Sequence, residues 1–178
     1  EEFAKIKKEK MIDYSVRETY PLIGIQKYFG YILRGNTTGN LPFLFKLDKS
    51  VDLNKLKKSI EKLFDVHPEL KNIIKPGSTG ALENFRNDDR EIDIPIITVS
   101  DEEWDELKGG LITPYMFGEN DPIYHSAIYV TDSDNYLFFD LAHIAGDGVS
   151  MNIIFEDINA IYLGKEVWKK QYDPEFCV

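Results

Sequence analysis

The chain has 178 residues, enough for one domain with a sizeable core, and its 43% hydrophobic and 13% aromatic content excludes a disordered protein. With 21 Lys+Arg against 31 Asp+Glu the net charge is -10, which excludes a basic nucleic-acid binder and a binder of anionic membranes. One cysteine, Cys177, allows no internal disulfide and points to a reducing, cytoplasmic setting. No run approaches the roughly 18 apolar residues of a spanning helix, and Glu1-Glu2-Phe3-Ala4-Lys5 is not a signal peptide. The missing initial Met reads as a piece cut from something longer.

Residues 1–12 read as a charged helix or linker, and 13–178 as one folded lobe. After Tyr20-Pro21-Leu22, the spacing of Ile25, Tyr28, Phe29 and Ile32 predicts a packed helix that closes near Gly35-Asn36. Leu41 to Leu47 reads as a strand. Asp52 caps a helix carrying Leu53, Leu56, Ile60, Leu63 and Phe64, with Val51 and Leu56 as a hydrophobic staple. Its Lys55, Lys57, Lys58 and Lys62 form a solvated face. A strand through Ile74 follows, then the turn Gly77-Ser78-Thr79-Gly80, then a strand from Glu91 to Val99 that Pro95 assigns to a sheet edge. Ser100 and Glu103 make a capping box for a short helix with Trp104 and Leu107. Ile123 to Val130 pairs with Tyr136 to Ala142 across the turn Thr131-Asp132-Ser133-Asp134-Asn135. The last helix carries Met151, Ile154, Ile158 and Ile161 and stops at Gly164. Strands and helices mixed around an antiparallel pair make an α+β fold, a mixed sheet with helices packed on it.

The chemistry-bearing candidates are few. Alternation puts Leu137, Phe139, Leu141 and His143 on one strand face, so an imidazole stands at the end of a buried strand. Gly146 and Gly148 flank Asp147, which allows a tight turn, and Asp147 stands at a helix start where the dipole favours a carboxylate. His67, after a helix and before Pro68, reads as a partly exposed capping or packing residue. His125, alternating with Ile123, Ala127 and Tyr129, reads as a sheet histidine with a hydrogen-bond partner. Ser150 reads as a cap, not a nucleophile, because no nucleophile elbow precedes it. His143 and Asp147 lack a third ligand at usable spacing, so no metal site is expected.

Three landmarks carry a resemblance. Tyr20-Pro21-Leu22-Ile23-Gly24-Ile25-Gln26 resembles the opening Y-P-L-x-x-x-Q segment of nonribosomal peptide synthetase condensation domains, and His67-Pro68-Glu69-Leu70-Lys71 is similar to their second landmark. Ala142 to Gly148 resembles their H-H-x-x-x-D-G signature, with Ala142 in place of the first histidine, and Val66 and Lys71 stand where arginines are usual. The resemblance implies the amino-terminal lobe of a chloramphenicol-acetyltransferase-like fold, whose signature histidine faces a tunnel between two lobes. The second lobe is absent from this chain.

What the resemblance implies for function is acyl transfer from a carrier-protein phosphopantetheine thioester to an amine, with no cofactor bound directly. His143 is the catalytic ring that takes a proton from the amine or orients it. An α-amino group titrates near about 8 and a free imidazole near about 6.5, so the proton transfer is within reach. Asp147 and Gly146 organise the turn, the partner of Asp147 being unassigned and open to the second lobe. Gly148 allows close approach of substrate, its amide available to an oxyanion. The implied partners are peptidyl or acyl carrier proteins and the second lobe, with self-association of a severed lobe through exposed apolar surface. Related alternatives are an epimerisation domain, a coenzyme A-dependent acyltransferase for alcohols or amines, and a non-catalytic carrier-docking lobe.

Overall fold

The computed structural model describes residues 18–167; the terminal linker and Cys177 of the sequence reading lie outside them. The elements run β1 (Thr19–Pro21), α1 (Gly24–Ile32), β2 (Asn40–Leu47), α2 (Leu53–Val66), β3 (Ile73–Pro76), β4 (Leu82–Phe85), β5 (Ile96–Thr98), α3 (Asp101–Leu107), β6 (Tyr124–Val130), β7 (Asn135–Ala142) and α4 (Gly148–Tyr162). A four-stranded sheet has the order β2-β7-β6-β5, and a three-stranded sheet the order β1-β4-β3. Only the β5–β6 pair is parallel among the described pairings. No helix among the described residues is long and apolar enough to cross a membrane.

The main core forms where α2 and α4 lie on one face of the larger sheet. Leu56, Ile60, Leu63 and Phe64 of α2 and Met151, Ile154 and Ile158 of α4 meet Leu137, Phe139 and Leu141 of β7. Side chains sealed this completely each contribute about 1.5–3 kcal/mol. The period of β7 sends its other face elsewhere. Phe138 packs with Trp104, Ala127 and Tyr129 under α3, and Ala142 packs with Leu22, Ile74, Leu82 and Tyr115 toward the smaller sheet. The caps expected at both helices are present: Asp52 accepts from the Lys55 amide at 3.0 Å, and the Ser100 hydroxyl accepts from Glu103 at 3.1 Å.

Four features differ from the sequence reading. The helix at Gly24–Ile32 exists, but three of the four residues of its expected stripe face outward, Ile25 62%, Tyr28 55% and Ile32 51% exposed, while Phe29 packs inward. It docks through Gly30, where a Cβ would stand 2.9 Å from Leu82 Cδ1, and through the neighbouring Phe29, which packs against the same cluster. The strand expected over Glu91 to Val99 is shortened to β5, at a sheet edge as Pro95 requires. β1 and β4 were not expected at all, since three or four residues of mixed polarity carry no clear period.

The fourth difference is His67, which is buried (5% exposed) and not partly exposed. Its backbone N–H closes α2 on Leu63, and Pro68 then turns the chain so that the ring enters the space between α2 and α4. Nε2 lies 2.7 Å from Asp157 Oδ2 on α4, and Nδ1 lies 3.2 Å from Glu69 Oε1. Burial alone would lower the ring's pKa, but the hydrogen bonds and negative charge of Glu69 and Asp157 outweigh it and raise the pKa above its ordinary value. The stability this supplies is therefore complete below the unfolded-state pKa of about 6.5 and is lost as pH rises through the folded-state value. Urea midpoints measured from pH 5 upward are expected to fall above about 6.5, and Asp157→Asn is expected to flatten that fall.

Candidate functional site

β7 ends at Ala142, and the chain turns at once, with the Ala145 amide donating to the Ala142 carbonyl at 2.8 Å. The His143 amide donates to the Gly39 carbonyl at 2.8 Å, which extends the β2–β7 ladder one residue past both strands. The ring is fixed separately. Nδ1 lies 2.9 Å from the Gly146 carbonyl oxygen. A carbonyl only accepts, so Nδ1 carries a hydrogen, and in the neutral ring the lone pair is on Nε2. Phe29 of α1 packs on the imidazole with ring centroids 4.5 Å apart. The result is a half-buried histidine with its tautomer set by backbone.

Asp147 is the N-cap of α4. Its Oδ1 accepts from the Ser150 amide and hydroxyl, both at 2.9 Å, and the Asp147 amide donates back to the Ser150 hydroxyl at 3.2 Å. The Ser150 amide and then its hydroxyl, with smaller contributions from the Val149 amide and the His143 charge, hold the Asp147 carboxyl below the usual carboxylate range. A partner for Asp147 is thus found within the chain, three residues on, and Ser150 is occupied as that partner.

The two glycines differ from each other and from the expected turn role. Neither Gly146 nor Gly148 takes a positive φ among the described residues, so neither is there for a left-handed turn. A Cβ on Gly146 would stand 2.9 Å from both Leu141 Cδ2 and Ser150 Cβ, whereas one on Gly148 would meet nothing within 4 Å. Gly146 is small because β7 and α4 converge on it. Gly148 borders open space at the first turn of α4.

The sequence reading did not place Gln26 or Phe29 at this site. Gln26 Nε2 donates to the Ile144 carbonyl at 3.2 Å, and its Oε1 accepts from the Ile23 amide at 3.2 Å, so α1 is tied to the residue after His143. Gln26 was visible as a landmark residue, but its target was not, because a bond spanning 118 positions leaves no local signal. His67 and His125 stand apart from His143 in other contacts: His125 stacks on Tyr115 with centroids 4.6 Å apart, its Nδ1 3.4 Å from Thr113 Oγ1. Lys71 pairs with Asp65 at 3.1 Å, and Val66 is core. Of the lysine face on α2, Lys57 is spent on Glu61 and Asp93, and Lys55 lies over the Tyr162 ring.

A mixed sheet with two helices on one face and a histidine projecting where the central strand gives way to the last helix defines an α+β lobe of the chloramphenicol-acetyltransferase type. The chain belongs to the condensation domain family, whose model matches residues 16–176. Among similar proteins, surfactin synthase subunit 1 of Bacillus subtilis (strain 168) is 24% identical over 174 residues, and gramicidin S synthase 2 of Aneurinibacillus migulanus is 27% identical over 152. The matches cover 88% and 83% of this chain but 5% and 3% of those proteins. Among solved structures, the complex of the X-domain and OxyB from teicoplanin biosynthesis matches with TM-score 0.75 at 16% identity, covering 89% of this chain and 37% of that one. The EpoB NRPS cyclization-docking bidomain from Sorangium cellulosum matches with TM-score 0.74 at 15% identity, covering 97% and 38%. These likenesses establish the fold.

Two substitutions separate the glycine roles. Gly146→Ala is expected to cost about 1–3 kcal/mol, the range for overpacking, while Gly148→Ala is expected to change stability by less than about 1 kcal/mol in either direction; urea denaturation reads both. Asp147→Ala is expected to lose about 1 kcal/mol of helix capping, with Asp147→Asn recovering most of it. In the full-length protein Asp147→Ala is also expected to reduce soluble yield, measured by fractionation.

Proposed function

We propose that the chain is the amino-terminal lobe of an acyl-transferring unit, in which an amine attacks the carbonyl carbon of a thioester carried on phosphopantetheine. The observation that carries this is the imidazole itself: Nδ1 is committed to the Gly146 carbonyl, so Nε2 is the atom left to act on a substrate. The step balances simply. The amine nitrogen forms the C–N bond, the C–S bond breaks, sulfur leaves as thiolate, and Nε2 takes the proton that the amine sheds and returns it to the thiolate. No covalent acyl-enzyme is required, in keeping with Ser150 being engaged by Asp147.

Gly148 has the role of close approach. At the first turn of α4 the Val149 and Ser150 amides turn to the Asp147 carboxylate, and the Gly148 amide, with open space beside it, is the one placed for the oxygen that becomes negative during attack. Asp147 acts through the helix it caps and not as a proton carrier. The partners that complete the reaction are carrier proteins bearing the donor and acceptor, and a second lobe. The outward apolar side chains of α1, next to the helix's own contact with His143, support a covering surface of that kind.

In the complete enzyme, His143→Ala is expected to leave the circular dichroism spectrum and urea midpoint intact while amide formation falls by roughly 10²–10⁴-fold, the usual weight of a positioned acid–base group. Single-turnover transfer between loaded carriers reads it. Turnover near that of the unsubstituted enzyme would remove the ring from the chemistry.

A further inference from the structure

The position of His143 traces back to two buried polar residues that the sequence reading did not consider. Asp140, three residues earlier on β7, is 0% exposed, and Asn40, the first residue of β2, is 8% exposed. They are diagonal neighbours across the β2–β7 ladder, where Asn40 stands opposite Ala142 and Pro42 opposite Asp140. Nδ2 of Asn40 donates to Asp140 Oδ2 and also to the Thr113 carbonyl at 2.9 Å. Because a carbonyl only accepts, the amide orientation is fixed by Thr113.

Gly39, the residue before this clamped asparagine, supplies the carbonyl that receives the His143 amide. Gly39 is itself pressed against the residue that closes α1, since a Cβ there would stand 2.6 Å from Leu33 Cβ. The segment is therefore held from α1, from the loop at Thr113 and from β7. The pair is a costly source of stability: Oδ1 of Asn40 is buried with no hydrogen-bond partner, and the fully buried Asp140 carboxylate has besides Asn40 the Tyr115 hydroxyl and His125, whose Nδ1 lies 3.9 Å from its Oδ2. What the pair does supply is a fixed place for the Gly39 carbonyl.

We infer that Asn40 and Asp140 are positioning residues for His143: their side-chain hydrogen bond holds the last rung of the β2–β7 ladder, and with it the backbone from which the imidazole projects. The inference rests on the proposed role of His143, but its test needs no substrate, so the two stand or fall separately.

The test is amide hydrogen exchange on this 178-residue chain, read residue by residue by NMR. Asn40→Ala is expected to speed exchange of the His143 amide by at least about tenfold relative to the Phe139 and Leu141 amides, which share β7 but lie deeper in the ladder. The ring nitrogen shifts of His143 are expected to move with it, as the Nδ1 bond to Gly146 loosens. Asp140→Asn, which still presents an oxygen to the Asn40 amide, is expected to keep the wild-type pattern. If Asn40→Ala does not fold, Asn40→Ser, able to donate to only one of the two acceptors, is expected to give a smaller loss at the same amide. Uniform acceleration along β7, or an unchanged His143 amide in a folded Asn40 variant, would overturn the inference.

Discussion

Six consecutive residues of β7, Leu137 to Ala142, are buried, with paired strands on either side and packed layers above and below. That one constraint orders the molecule. A strand enclosed on both faces and both edges has no freedom of register, because a shift of one residue would exchange Phe139 and Leu141 with Phe138 and Asp140 between unlike environments. Whatever follows the strand inherits its rigidity. His143 is the first residue to leave the enclosure, and it is half-buried at the boundary.

Among the described residues, several polar groups on or around this strand connect elements. Asp140 joins β7 to the start of β2, His67 joins α2 to α4 through Asp157, and Gln26 joins α1 to the turn after β7. Each spans parts of the chain that lie far apart in sequence and that the hydrophobic clusters bring close. Hydrophobic contact is non-directional; a hydrogen bond is not. Leu, Ile and Phe hold the layers together and fix the register of β7, while these polar pairs add directional contacts where the elements meet beside the imidazole.

Much of this was legible in the sequence because it is local. The helix of Met151, Ile154 and Ile158 and its stop at Gly164 come from spacing within one stretch, and Gly164 indeed has a positive φ, but the cap expected at Ser150 is Asp147, with Ser150 returning the bond from the third helical position. The β6–β7 hairpin is readable for the same reason. The wrong readings concern what a residue faces once the chain has folded back. Ile25, Tyr28 and Ile32 have helical spacing with Phe29, yet only Phe29 turns inward, since the helix docks where Gly30 lets it approach the distant Leu82. Gly146 reads as a turn glycine, but its constraint is the approach of Leu141 and Ser150. His67 reads as half exposed because Asp157, 90 positions later, is invisible from the helix end.

The sequence distances in the site also bear on how the chain folds. The Asn40–Asp140 bond closes over 100 positions and the Gln26–Ile144 bond over 118, whereas the β6–β7 hairpin and the helix caps close over a few. Loop-closure entropy and the dependence of rate on contact separation put the local pieces first and these long closures last. The imidazole therefore reaches its final surroundings only when these distant stretches of the chain have come together.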